Sequence, residues 1–192
     1  PAKRFFKYAR PWRWSSSVAV VPALIPAKSS TPATDGGFIS GHTAEAVRDG
    51  IAMGYVVPER FQELLTRAGE LGENRVLAGM HSPLDVIGGR LHGQAVATAS
   101  LYSGINSSKR VAAATQARST LMAAVGAATP TAFNAYAHSQ SLSADRFADH
   151  ATNKANYRRT LTYGFTQVAD TTKAAVVPKG AEVMLETRLP YL

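Results

Sequence analysis

Phe61, Leu64, Leu65, Ala68 and Leu71 recur at intervals of three and four residues, which puts all five on one face of an amphipathic helix over residues 59–71. Period-two alternation, the mark of a half-buried strand, is scarce along the chain, so the expected fold class is all-α. Start and stop signals extend the helical reading. A mostly apolar helical pattern over residues 43–57 ends at Pro58, and Ser82-Pro83 supplies an N-cap and first position for a helix over residues 83–102. Within that helix, Gly88, Gly89 and Gly93 mark close packing. Residues 73–81 read as helix or turn, residues 109–128 as an Ala-rich helix, and residues 133–170 as less regular helices. Residues 14–37, rich in Ser, Pro, Ala and Gly, read as a long irregular connection of the kind that lines sites.

A chain of 192 residues, 45% of them hydrophobic, suffices for one globular core. Residues 1–104 are expected to form the core and residues 105–192 a helical extension packed on the same domain. The longest apolar run, residues 18–26, is interrupted by Pro22 and is far shorter than the about 20 apolar residues a membrane-spanning helix takes. Cysteine is absent, which removes disulfides, thiolate catalysis and cysteine zinc sites. A net charge of +8 favours anionic partners: small phosphates, nucleic acid or a membrane surface.

Three clusters carry chemistry: Lys3 with Arg10-Pro11, then Ser40-Gly41-His42, then Arg75 with His81 and Asp85. In this order and spacing they resemble the three-part signature of the type 2 phosphatidic acid phosphatase (PAP2) superfamily, which includes soluble bacterial class A acid phosphatases and vanadium haloperoxidases. The first part of that signature is a Lys, six residues and Arg-Pro; the second is Pro-Ser-Gly-His; the third is Ser-Arg, five residues, His, three residues and Asp. Two flanking positions depart, Ile39 for Pro and Asn74 for Ser. Neither supplies a nucleophile, an acid or a cation. The resemblance covers residues 3–99 and implies a helical bundle, a phosphomonoester substrate, hydrolysis or phosphotransfer through a phosphohistidine, and a periplasmic or secreted location. It implies no metal and no cofactor; vanadate would fill that role in the haloperoxidase alternative. Helices precede the first motif in related acid phosphatases, so the layer around Lys3 is expected from another chain such as a homo-oligomer partner, from a cleaved fragment or longer polypeptide, or from the unmatched C-terminal half.

The residue types suit phosphoryl transfer on physical grounds. A phosphate monoester brings about two negative charges, and Lys3, Arg10 and Arg75 would surround its oxygens with positive charge. Arg grips two oxygens with its planar fork, whereas Lys acts as a point charge. Ser40 and Gly41 lie just before a helix, where free backbone N–H groups favour an anion and glycine allows close approach. His81 is the expected nucleophile and Asp85 the group that orients its ring; His42 is the natural acid for the leaving alcohol and the base for water in the second step.

Simpler roles compete for the same residues. The basic run from Lys3 to Arg13 reads in isolation as a solvated face, Ser82 to Asp85 as a capping box, His42 as a helix-start residue and Arg75 as a surface ion-pair partner. A basic module binding nucleic acid or anionic lipid, its histidines structural, is the alternative from another class; nucleic acid is disfavoured because its cations would lie along one helix or among stacking aromatics. His92, His138 and His150 read as surface or core histidines. Asp145, Asp149 and His150 lack the spacing and fourth group of a zinc site, so no metal is expected there.

Overall fold

A computed structural model describes residues 2–174 and 176–189. Those residues form helices and short 3-10 turns, with no strand among them beyond an isolated bridge between Ala9 and Gly36, as the all-α reading expects. The helices are α1 (Ala2–Phe6), α2 (Gly41–Val56), α3 (Phe61–Leu77), α4 (Pro83–Tyr102), α5 (Ser107–Ala124), α6 (Pro130–Ala137) and α7 (His150–Thr162). No described helix is long and apolar enough to cross a membrane. The chain divides into two compact units, one formed by Pro1–Asp49 with Arg67–Ala95 and the other by Gly50–Thr66 with Val96–Leu192.

In the first unit the glycines of α4 explain the packing. A Cβ on Gly89 would stand 2.5 Å from the Ser40 carbonyl oxygen, and one on Gly93 2.5 Å from the Ala44 carbonyl oxygen. The start of α2 therefore lies directly against the α4 backbone, with Ala44, Val47 and Val86 buried around the seam. Gly89→Ala forces backbone against backbone, where no flexible side chain can give way. It should destabilise the fold by about 1–3 kcal/mol despite Ala's better helix propensity, read as a lower urea midpoint at unchanged slope. Residues 73–77, read as helix or turn, continue α3 as helix, and Gly72 sits inside it where the Thr43 and Val86 side chains come within 2.9 and 3.0 Å of the place a Cβ would take.

The second unit is held by polar ties to its C-terminal segment. The buried Tyr55 hydroxyl donates to Glu186 Oε2 at 2.7 Å, Thr187 Oγ1 donates to the Tyr55 carbonyl at 2.6 Å, and Arg188 Nη1 donates to the Pro58 carbonyl at 2.8 Å. Buried Glu59 pairs with Arg118 at 2.7 Å. The stretch read as irregular helices resolves into α6 and α7, each started by a side-chain cap. Thr129 accepts from the Ala132 amide, and Asp149 accepts from the Ala151 and Thr152 amides.

Candidate active site

All nine residues named in the three clusters belong to the first unit. The third cluster is built where α3 ends. The Arg75 carbonyl accepts from the amides of both Met80 and His81, at 3.2 and 3.1 Å, so the chain folds back through Gly79 and delivers His81 just before α4. Gly79 has φ +70°, and the Ala19 carbonyl oxygen lies 2.2 Å from where its Cβ would be, so this turn admits only glycine.

Ser82 and Asp85 then cap α4 reciprocally. The Asp85 amide donates to Ser82 Oγ at 3.1 Å, and Asp85 Oδ2 accepts from the Ser82 amide at 2.9 Å. The same Oδ2 lies 3.2 Å from His81 Nδ1. Capping and orientation, competing roles in the sequence, are met by one fully buried carboxylate oxygen.

The other ring nitrogen is met from the first cluster. Arg10 Nη1 lies 3.1 Å from His81 Nε2 and donates to the Met80 carbonyl at 3.0 Å. An arginine only donates and a carboxylate only accepts, so the two partners dictate one tautomer: hydrogen on Nδ1, lone pair on Nε2. His81 is 3% exposed. Burial lowers its pKa foremost, the nearby charges of Arg10 and Lys3 push the same way, and Asp85 opposes them; the net direction is down from 6.5. The imidazole is thus held neutral with a lone pair facing cations, which is the state a nucleophile requires.

The cations themselves differ. Arg10 is anchored by the Asp35 carboxylate, through Nε and through Nη2, the latter at 3.3 Å. Lys3 donates to the Gly36 carbonyl at 2.7 Å, and its pKa is lowered by burial and then by Arg10. Arg75 has a buried Nε with no hydrogen-bond partner among the described residues, and its pKa too is lowered by burial and then by Arg10. A half-buried cation next to another cation, with a buried donor unmatched, is an arrangement that an anion would relieve.

The second cluster is tied to the third by its backbone. The Ser40 amide donates to the Asp85 carbonyl at 2.9 Å, and Ser40 Oγ accepts from the amide and hydroxyl of Thr43, capping α2. A Cβ at Gly41 would meet nothing within 4 Å, so the open space beside this backbone is available to a ligand. His42, in the first turn of α2, is exposed. The peptide bond between Phe38 and Ile39 is cis.

Sequence reasoning missed Asp35 and the glycines after it. Asp35 holds Arg10 from 25 residues away, and Gly37 lies against the orienting carboxylate, with 2.8 Å between Asp85 Oδ2 and the site of a Cβ. An Asp-Gly-Gly run reads as a turn, and no local pattern reveals what a turn aspartate will face.

The chain matches the profile of the PAP2 superfamily over residues 1–108. A stretch of 68 residues is 40% identical to a non-specific acid phosphatase of Salmonella typhi. The corresponding match to a non-specific acid phosphatase of Salmonella typhimurium is 38% identical over 68 residues. Each match covers 35% of this chain and 27% of the relative, so the chain spans about a quarter of the length of these curated relatives. No solved structure matches the chain. With the three clusters assembled in one unit and the family profile spanning more than half of the residues, the chain belongs to the PAP2 superfamily.

Proposed function

We propose that this chain carries the active site of an acid phosphatase-like phosphomonoester hydrolase that acts through a phosphohistidine on His81. The observation that carries the reading is the pair of contacts on the His81 ring, Asp85 on Nδ1 and Arg10 on Nε2, which leaves the Nε2 lone pair at the cationic end of a buried imidazole.

In the first step a phosphate oxygen replaces Nε2 as acceptor for Arg10 Nη1, which frees the lone pair to attack phosphorus. The P–O bond to the alcohol breaks as the P–N bond forms, and His42 in its protonated form gives its proton to the leaving oxygen. Arg10, Arg75 and Lys3 hold the equatorial oxygens, with the backbone at Gly41 alongside. In the second step His42 takes a proton from water, the water oxygen bonds to phosphorus, the P–N bond breaks, and inorganic phosphate leaves. The developing imidazolium of the phosphorylated state is stabilised by Asp85.

A cavity of about 630 Å³ lined by Lys3, Arg4, Lys7, Arg13 and Asp35 shares residues with this cradle and would receive the leaving group of a small phosphorylated substrate. The acid phosphatase names of the relatives support the reaction class, and the family resemblance supports a periplasmic or secreted location. A chromogenic aryl phosphate should be turned over in the presence of a chelator, with vanadate as an inhibitor. Activity that required a divalent ion would refute the mechanism.

Arg75 offers a sharper check. Because its Nε has no partner to orphan, Arg75→Ala should leave stability unchanged or slightly raised while lowering kcat/KM by about 10²–10³-fold. Arg75→Lys should recover part of the loss, since it restores charge without the planar fork.

A further inference from the structure

We propose that Glu63, His138 and His150 form a binding site for a divalent transition-metal ion of the zinc class, built entirely from residues of the second unit. The three residues come from separate places: the first turn of α3, the residue after α6, and the first residue of α7. Glu63 Oε1 lies 3.4 Å from His138 Nε2 and 3.1 Å from His150 Nε2, and all three ligand atoms fall within 4.8 Å of one another. A tetrahedral ion with bonds of 2.0–2.1 Å sets its ligand atoms about 3.3 Å apart, which both separations from Glu63 match.

Hydrogen bonding points the ligands. His138 Nδ1 lies 2.9 Å from the Asn134 carbonyl, which can only accept, so the hydrogen sits on Nδ1 and the Nε2 lone pair faces Glu63. Two acceptors facing each other at 3.4 Å are matched either by a proton on Nε2 or by a metal ion between them. A backbone carbonyl on the far nitrogen is also how metal-binding histidines are held in position. The carboxylate gives the independent observation: the Glu63 side chain is 4% exposed, yet its Oε2 is buried without a hydrogen-bond partner among the described residues.

The surrounding charges leave room for a cation. Arg60 comes within 3.4 Å of Glu63 Oε1, but it is drawn off by Asp145 at 2.6 Å and by the Ala137 carbonyl at 2.7 Å. With Arg60 shared between Asp145 and Glu63, the Glu63 charge is only partly compensated. Asp149, grouped with His150 in the sequence, is instead spent on capping α7. Two imidazoles and a carboxylate favour zinc among available divalent ions, with the half-exposed His150 side leaving a fourth position for water.

Calorimetric titration of the metal-free full chain with Zn²⁺ at pH 7.5 tests this. One ion should bind per chain, and His150→Ala and His138→Ala should each weaken binding at least about ten-fold. Because the His150 side chain is half exposed, its truncation should leave the metal-free melting curve unchanged, which separates lost binding from lost fold. Absence of binding, or equal affinity in wild type and His150→Ala, would overturn the site and leave a proton between the imidazoles and Glu63. Neither result bears on chelator-resistant phosphate release, so the two proposals fail separately.

Discussion

His81→Gln should lower phosphate release from an aryl phosphate by about 10⁴-fold or more, leaving only the residual rate that a positioned set of cations gives. The amide nitrogen's lone pair is delocalised into its carbonyl and cannot form a P–N bond at a useful rate. The substituted side chain can still occupy the buried space between Arg10 and Asp85, so the loss should appear in kcat with binding of inorganic phosphate largely kept. A folded variant that retained more than a few per cent of wild-type activity would place the nucleophile elsewhere.

Asp85→Asn is the second large effect, expected at about 10²–10³-fold in kcat, and its cause is the lost charge beside the ring. Asp85 Oδ2 accepts from both His81 Nδ1 and the Ser82 amide. An amide oxygen in that place keeps both hydrogen bonds, with the NH₂ in the place of Oδ1, so what the variant loses is the negative charge that faces the imidazolium formed with the P–N bond. The helix cap survives, so stability should change far less than rate.

The pH profile distinguishes this from misfolding. In the wild type the His81 pKa lies below 6.5, so the acid limb of kcat/KM should lie below pH 6.5. Asp85 supplies the influences that raise the pKa, and with them removed the limb should move to still lower pH. The stability linkage has the same sign. Below pH 6.5 the unfolded chain binds a proton at His81 that the folded chain refuses, so this group's contribution is lost as pH falls through that window. Because the two residues act as one unit, the double variant should be no slower than His81→Gln alone.

The sequence reached some parts of this site because their geometry is local. His81 and Asp85 are four residues apart, and the Ser82-Pro83 helix start places both within one turn. The glycines of α4 announced close packing because only a missing Cβ permits a helix to lie on a carbonyl at that distance. What stayed hidden depends on partners far along the chain. Asp35 anchors Arg10 across 25 residues, Arg10 reaches His81 across 71, and Glu63 meets His150 across 87. No periodicity encodes such pairings. His138 and His150 therefore read as isolated histidines, and Asp149 beside them invites a ligand role when its carboxylate caps a helix. Gly72 lies inside α3, where its missing side chain serves to admit those of Thr43 and Val86 and does not end the helix.

Trapping the phosphoenzyme tests the central claim most directly. Rapid quenching during turnover of a phosphate monoester, followed by mass spectrometry under alkaline conditions, should find one phosphoryl group per chain, on Nε2 of His81, stable to alkali and lost in acid. The same protocol on His81→Gln should find none. Phosphate on any other side chain, or turnover at the wild-type rate with His81 unmodified and replaceable, would contradict the account.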